Sequence, residues 1–233
     1  REISPIASQI EEDLVTLFIE RLGLGGDWGG TFASGGSLAN LTALFAACGG
    51  FAELGGRDRV RVYVTDSIHA SVKKSAAVLG MTSSQVVIVP SDETGRMHPD
   101  ALESVLNDNR GCQNIVVGVL GSTIHGVVDP LDALGVIAHK HGAWFHVDAI
   151  YGGVLAFSNR NRKFLKGIDR ADSVVLGPQK WMYVPRLSAL VLIKGQDKFD
   201  KSLGVDLPYS ATGEQHRGKW GLQGSRRADA VTL

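Results

Sequence analysis

The chain lacks an excess of either charge. Lys plus Arg and Asp plus Glu both number 24 in 233 residues. That balance argues against nucleic acid or a membrane surface as the main partner. No apolar run reaches the roughly 18–20 residues that a bilayer-spanning helix needs. Residues 1–5 (REISP) have no basic segment leading into an apolar stretch, so no signal peptide is expected there. Cysteine is scarce. Cys48 and Cys112 stand apart without metal-type spacing, and so low a content suits a reducing, cytoplasmic setting. The histidines do not fall at ligand spacing on one element, so no metal centre is expected. No repeat or low-complexity segment interrupts the chain.

Glycine, in contrast, is abundant. There are 29, mostly at the ends of apolar runs, where tight turns and close backbone approach are wanted. Hydrophobic residues make up 44%, enough for a sizeable core. Ile6, Ile10, Leu14, Leu17, Phe18 and Leu22 recur at helical spacing and predict an amphipathic helix over 6–22, ended by the stretch 23–30. Further helices are expected at 41–48, 70–79, 100–107 and 130–140. Strands are expected at 60–66, 85–89, 114–120, 143–148, 172–176 and 187–193. The last lies too close behind its predecessor for a helical crossover, so it should run antiparallel. Strands alternating with helices mean an α/β doubly wound sheet. Residues 209–216 read as an exposed polar loop, and 224–233 as the start of a helix.

In such a sheet, functional residues gather at the carboxyl ends of strands. His69, Thr123, Asp148 and Lys180 all fall there. A lysine at the end of a buried strand can be desolvated, which makes its amine nucleophilic; the alternative is a snorkelling strand-end lysine. The Ser-Gly-Gly-Ser turn at 34–37 opens a helix. Gly36 and Ser37 there offer backbone N–H groups and a helix dipole to an anion, unless the turn is a plain one with a serine cap. Asp148 alone could be a cap or an ion-pair partner, and His69 a hydrogen-bonded structural histidine. His125, His139, His141, His146 and His216 read as structural or solvated. A carboxylate, an imidazole, a lysine and a phosphate cradle together are what pyridoxal phosphate requires.

Several segments carry a family resemblance in the family's order and spacing. They are 31–40 (TFASGGSLAN), 66–71 (DSIHAS), 121–123 with 128–130, 146–153 (HVDAIYGG), 179–181 (QKW) and 224–229 (GSRRAD). The chain resembles the pyridoxal-phosphate-dependent group II amino-acid decarboxylases over nearly its whole length. The resemblance implies a fold-type I large domain. Its sheet would be seven-stranded and mostly parallel, with one antiparallel strand and helices on both faces. Residues 1–233 would form that cofactor-binding domain, with 1–30 an N-terminal helix and loop. Residues 200–233 would be an interface loop and a helix start leading to a small C-terminal domain beyond the sequence.

The resemblance also assigns roles. Lys180 is the Schiff-base lysine, Asp148 pairs with the pyridine nitrogen, and His69 stacks on the ring and helps position or protonate the carbanion, which makes these three the catalytic residues. Gly36 and Ser37 bind the phosphate, and Thr123 sits near the ring hydroxyl. It implies a homodimer with sites at the subunit interface, acting on an L-amino acid with release of the corresponding amine and carbon dioxide. Three residues depart from the family pattern. Gln179 replaces a histidine before the lysine, Ile150 replaces a small alanine against the ring, and Leu38 replaces an acidic residue. A loop tyrosine that protonates Cα in the family would lie beyond Leu233. Other outcomes for the same cofactor are an aldehyde-forming oxidative decarboxylation or a Cα–Cβ lyase reaction. A non-catalytic homologue acting as a binding partner is a further reading. Arg226 and Arg227 are candidates for a substrate carboxylate, with a solvated helix start as the alternative.

Overall fold

The structure is a computed structural model and describes residues 4–53, 56–185, 187–205 and 217–233. Helix α1 (Pro5–Leu22) starts on Pro5 and ends at Gly23, whose φ of 73° lets its N–H reach back to Glu20 O. Strand β1 (Trp28–Ala33) leads into α2 (Gly36–Ala47). Then come β2 (Val60–Val64), α3 (Ala70–Val78), β3 (Val86–Ile88), α4 (Pro99–Asp108) and β4 (Gln113–Val119). They are followed by α5 (Leu131–Lys140), β5 (Trp144–Ala149), β6 (Ser173–Leu176), β7 (Ala189–Lys194) and α6 (Gln196–Leu203).

The seven strands form one sheet in the order β1-β7-β6-β5-β4-β2-β3. Strand β7 runs antiparallel to both its neighbours, as its short connection requires, and the other pairings are parallel. Because β7 opposes both β1 and β6, strand β1 points the same way as the parallel set. Its carboxyl end therefore lies on the same edge as theirs. Phe18 of α1, Leu102 and Leu106 of α4, and Leu131 and Leu134 of α5 share one core. Helices α2, α3 and α6 supply Leu44, Val72 and Phe199 to the cores on the other face. Both faces of the central strands are thus covered, which is why 115–120 and 189–193 read as continuous apolar runs.

Strand β1 corrects the expectation that 23–30 is only a helix stop. Its two glycines hide the strand pattern, and packing explains them. A Cβ on Gly29 would lie 2.3 Å from Cγ of Phe199 on α6, and one on Gly30 would lie 2.6 Å from Cγ1 of Val15 on α1. Helices press on this strand from both sides, so side chains are excluded. Helix α2 begins five residues earlier than its apolar pattern indicates, directly on the glycine turn. The expected helix start at 224–233 is a single 3-10 turn, Asp229–Thr232. The expected loop at 209–216 lies outside the described residues. Among the described residues no helix is long and apolar enough to cross a membrane, and no cluster of three or more His, Cys, Asp or Glu could hold a metal ion.

Asp129 fastens the carboxyl end of β4 to a neighbouring turn. One carboxylate oxygen accepts Met97 N–H and the other Val119 N–H, both at 2.8 Å. Burial outweighs these donors and pushes the carboxyl up to about 6. A native state that holds this proton up to about pH 6, against about 4 unfolded, is stabilised at low pH. That contribution, roughly 3 kcal/mol for two units, is present below about pH 4 and lost as pH rises through about 6. Urea unfolding of Asp129→Asn should lack this falling segment of the pH–stability curve.

Candidate active site

A cavity of about 360 Å³ opens at the carboxyl edge of the sheet, at the small end of the range for small-molecule sites. Gly36, Ser37, His69, Thr123, Asp148, Ile150, Gln179 and Lys180 all line it. The fold brings these eight residues together. They arrive on five parts of the chain: the turn after β1, the turn before α3, the segment after β4, the end of β5 with the residues that follow it, and the turn after β6.

Helix α2 offers its N-terminus to the cavity. Gly35 adopts φ 100°, and no side chain caps the helix. Its first backbone N–H groups therefore have no intrahelical partner and face the lining formed by Gly36 and Ser37. The serine-cap alternative for this turn is not what the structure shows. Gln179 stands in the same wall with its amide oxygen buried and unpartnered. The two ends of an amide exchange by rotation about its last bond, so this group can present N–H to an anion.

Asp148 is buried at the far side. Its Oδ1 accepts Ile150 N–H at 3.1 Å, and its Oδ2 accepts Asn40 Nδ2–H at 2.9 Å. Among the described residues it neither caps a helix nor pairs with a cation. His69 caps α3 by accepting Ser71 N–H at Nδ1, 3.1 Å away, and also lines the cavity mouth. The structural and the functional reading of this histidine are compatible. Thr123 is exposed on a turn that Gly121 permits at φ 92°.

Two expectations need correction. Lys180 is exposed within this chain, not desolvated, because the turn after β6 carries it clear of the strand's apolar neighbours. Arg226 is not available to a substrate carboxylate. It is buried against Glu11 of α1, which also pairs with Arg217 at 3.0 Å. Arg227 is exposed and pairs with Asp229 at 3.4 Å. Ile150 intrudes less than its size implies. Its side chain fills the notch left by two glycines, lying within 3.3 Å of where a Cβ on Gly36 or Gly177 would stand.

Sequence reasoning missed Asn40, Ser71 and His146. Signals for two of them were present. Asn40 lies four residues after Gly36, on the same helix face, and His146 lies two before Asp148, on the same strand face. His146 is fully buried, and burial depresses its imidazole to about 4, against the opposing pull of Asp148. It is therefore neutral at ordinary pH.

The site's parts fit pyridoxal phosphate. A helix N-terminus and an unpartnered amide suit the phosphate, a buried carboxylate suits a protonated ring nitrogen, and an accessible amine suits the aldehyde.

The comparisons agree. The family model described as the pyridoxal-dependent decarboxylase conserved domain matches residues 1–233. Acidic amino acid decarboxylase GADL1 of Bos taurus is 35% identical over 209 residues, covering 85% of this chain and 39% of its own length. The crystal structure of mouse CSAD superposes with a TM-score of 0.90 at 30% identity, covering 100% of this chain and 51% of that one. The structure of Rhodiola rosea 4-hydroxyphenylacetaldehyde synthase has a TM-score of 0.84 at 25% identity, covering 98% and 50%. The chain thus spans about one-third to one-half of the length of the proteins it matches. The fold-type I architecture, the cavity and these likenesses lead to one conclusion: the chain belongs to the pyridoxal-dependent decarboxylase family.

Proposed function

We propose that this chain carries the cofactor site of an enzyme that decarboxylates an L-amino acid to its amine and carbon dioxide. The observation that carries this reading is the convergence of Lys180, Asp148, His69 and the open N-terminus of α2 on one cavity. Pyridoxal phosphate, when bound, supplies a sink for the electron pair left on Cα as carbon dioxide departs. Lys180 Nζ would provide the amine that holds the cofactor's aldehyde. Asp148 holds a proton at the ring nitrogen. The Gly36–Ser37 turn and Gln179 bind the phosphate. His69 and Ile150 would hold the ring from either side, and Thr123 would take its hydroxyl.

A homodimer follows from the same reading. Ile124, Trp181, Tyr183 and Leu187 are large, apolar and exposed beside Thr123 and Lys180. A second copy covering this rim would desolvate Lys180, which the single chain does not. An aldehyde-forming reaction is the second reading, favoured by the likeness to the aldehyde synthase.

The full-length protein should take up pyridoxal phosphate, with a visible absorption band, and release amine and carbon dioxide in equal amounts from one of a panel of L-amino acids. Aldehyde with oxygen uptake would establish the second reading. Failure to take up the cofactor would overturn both and leave a non-catalytic homologue.

A further inference from the structure

Asp148 is the visible end of a longer buried network. Asn40 spends both hydrogens of its amide at the cavity. One goes to Asp148 Oδ2 and the other to the Ser71 hydroxyl oxygen, each at 2.9 Å. The Ser71 hydroxyl lies 2.7 Å from Nδ1 of His69. That nitrogen already accepts the Ser71 backbone N–H, so the hydroxyl is the donor. A single amide therefore reaches both the carboxylate at the back of the cavity and the imidazole at its mouth.

The amide is oriented from behind. Its oxygen lies 3.0 Å from Nε2 of His146, and Nδ1 of His146 lies 2.8 Å from the Ser173 hydroxyl. The oxygen of that hydroxyl accepts the Trp144 indole N–H at 2.8 Å. The directions are mutually enforced. Turned over, the Asn40 amide would set its oxygen against the carboxylate of Asp148. In the orientation observed it needs a donor at Nε2, so Nδ1 is an acceptor and the Ser173 hydrogen points to it. The neutral state of His146 keeps one donor and one acceptor in the chain. Asn40, Ser71, His146 and Ser173 are all buried. A polar network in a core is costly unless fully paired, and when paired it holds one arrangement. Here the arrangement ends at the cavity.

We infer that Asn40, locked by His146, is a positioning residue that sets Asp148 and His69 as one unit around the pyridoxal ring. This rests on the cofactor reading above. With Ile150 N–H on one oxygen and Asn40 on the other, the plane of the Asp148 carboxylate is fixed before the cofactor arrives. The other titratable groups at the cavity are Lys180 on the turn after β6 and Tyr151 after β5.

The test uses the full-length protein and two readouts: the dissociation constant for pyridoxal 5′-phosphate, and the pH midpoint of the bound cofactor's absorbance. His146→Phe removes the donor that orients Asn40. It should weaken cofactor binding about tenfold and move the midpoint by about one pH unit. His146→Gln restores an N–H for Asn40 and an oxygen for Ser173, and should recover most of both. Asn40→Asp is nearly isosteric and puts an acceptor against Asp148. It should show at least the same losses, and it serves if the phenylalanine variant does not fold. A folded His146→Phe or Asn40→Asp with wild-type affinity and midpoint overturns the inference. So does a His146→Gln no better than His146→Phe, which would mark a role in packing alone. A wild-type protein that takes up no cofactor overturns the pyridoxal reading itself, before any variant is compared.

Discussion

Replacing Lys180 by alanine should abolish the covalent, borohydride-reducible attachment of pyridoxal phosphate and lower turnover by at least about three orders of magnitude. The fold should survive. Lys180 is exposed, and its backbone N–H closes the turn on Gly177 O at 3.0 Å, a bond that alanine keeps. Exposed substitutions away from special backbone positions change stability by about 0.5 kcal/mol or less, so the melting temperature of the cofactor-free protein should hardly move. Borohydride reduction followed by mass mapping of the full-length protein makes the check. Wild type should carry the added mass on the peptide containing Lys180, and the variant on none. An adduct that persists in the variant together with turnover would assign the amine to another residue.

Asp148→Asn should lower kcat by about 10²–10³-fold, the range seen when one preorganised charge-stabilising group is removed. The contrast with the lysine variant is diagnostic. Lys180 and its turn are untouched, so the cofactor should still be reducible onto Lys180 while catalysis is lost. Asparagine is nearly isosteric, and its oxygen can still accept the Asn40 amide hydrogen. What disappears is the charge that would keep the ring nitrogen protonated, together with the acceptor for Ile150 N–H. Steady-state rates beside the reducible-adduct yield separate the two effects. A variant that retains wild-type kcat would remove Asp148 from the chemistry and leave it a structural carboxylate.

Much of this site was legible before any coordinates. The helix of 5–22 shows in its spacing, and the antiparallel course of β7 shows in the brevity of the connection before it. Lys180 and Asp148 stand out because β-branched and apolar runs lead straight into them. The misses have physical causes. Strand β1 is written in residues that look like a turn, because Gly29 and Gly30 are demanded by Phe199 and Val15, one from a helix about 170 residues away. Arg226 looks free in sequence, but it is neutralised by Glu11, some 215 positions earlier.

The sequence by itself determined the alternation of strands and helices, the family, and eight of the residues around the cavity. These are local signals: a periodicity, a glycine turn, or a residue at the end of an apolar run. Tertiary structure alone decided how those residues are held. Asn40 and Asp148 are 108 positions apart, and Asn40 and His146 are 106 apart. Nothing in either segment states that α2 crosses the carboxyl end of β5. That contact follows from the order of strands in the sheet, which sets β1 and its helix on the same edge as β5 and β6. The same cause explains Lys180: its place after a buried strand was readable, but its exposure depends on what covers the edge.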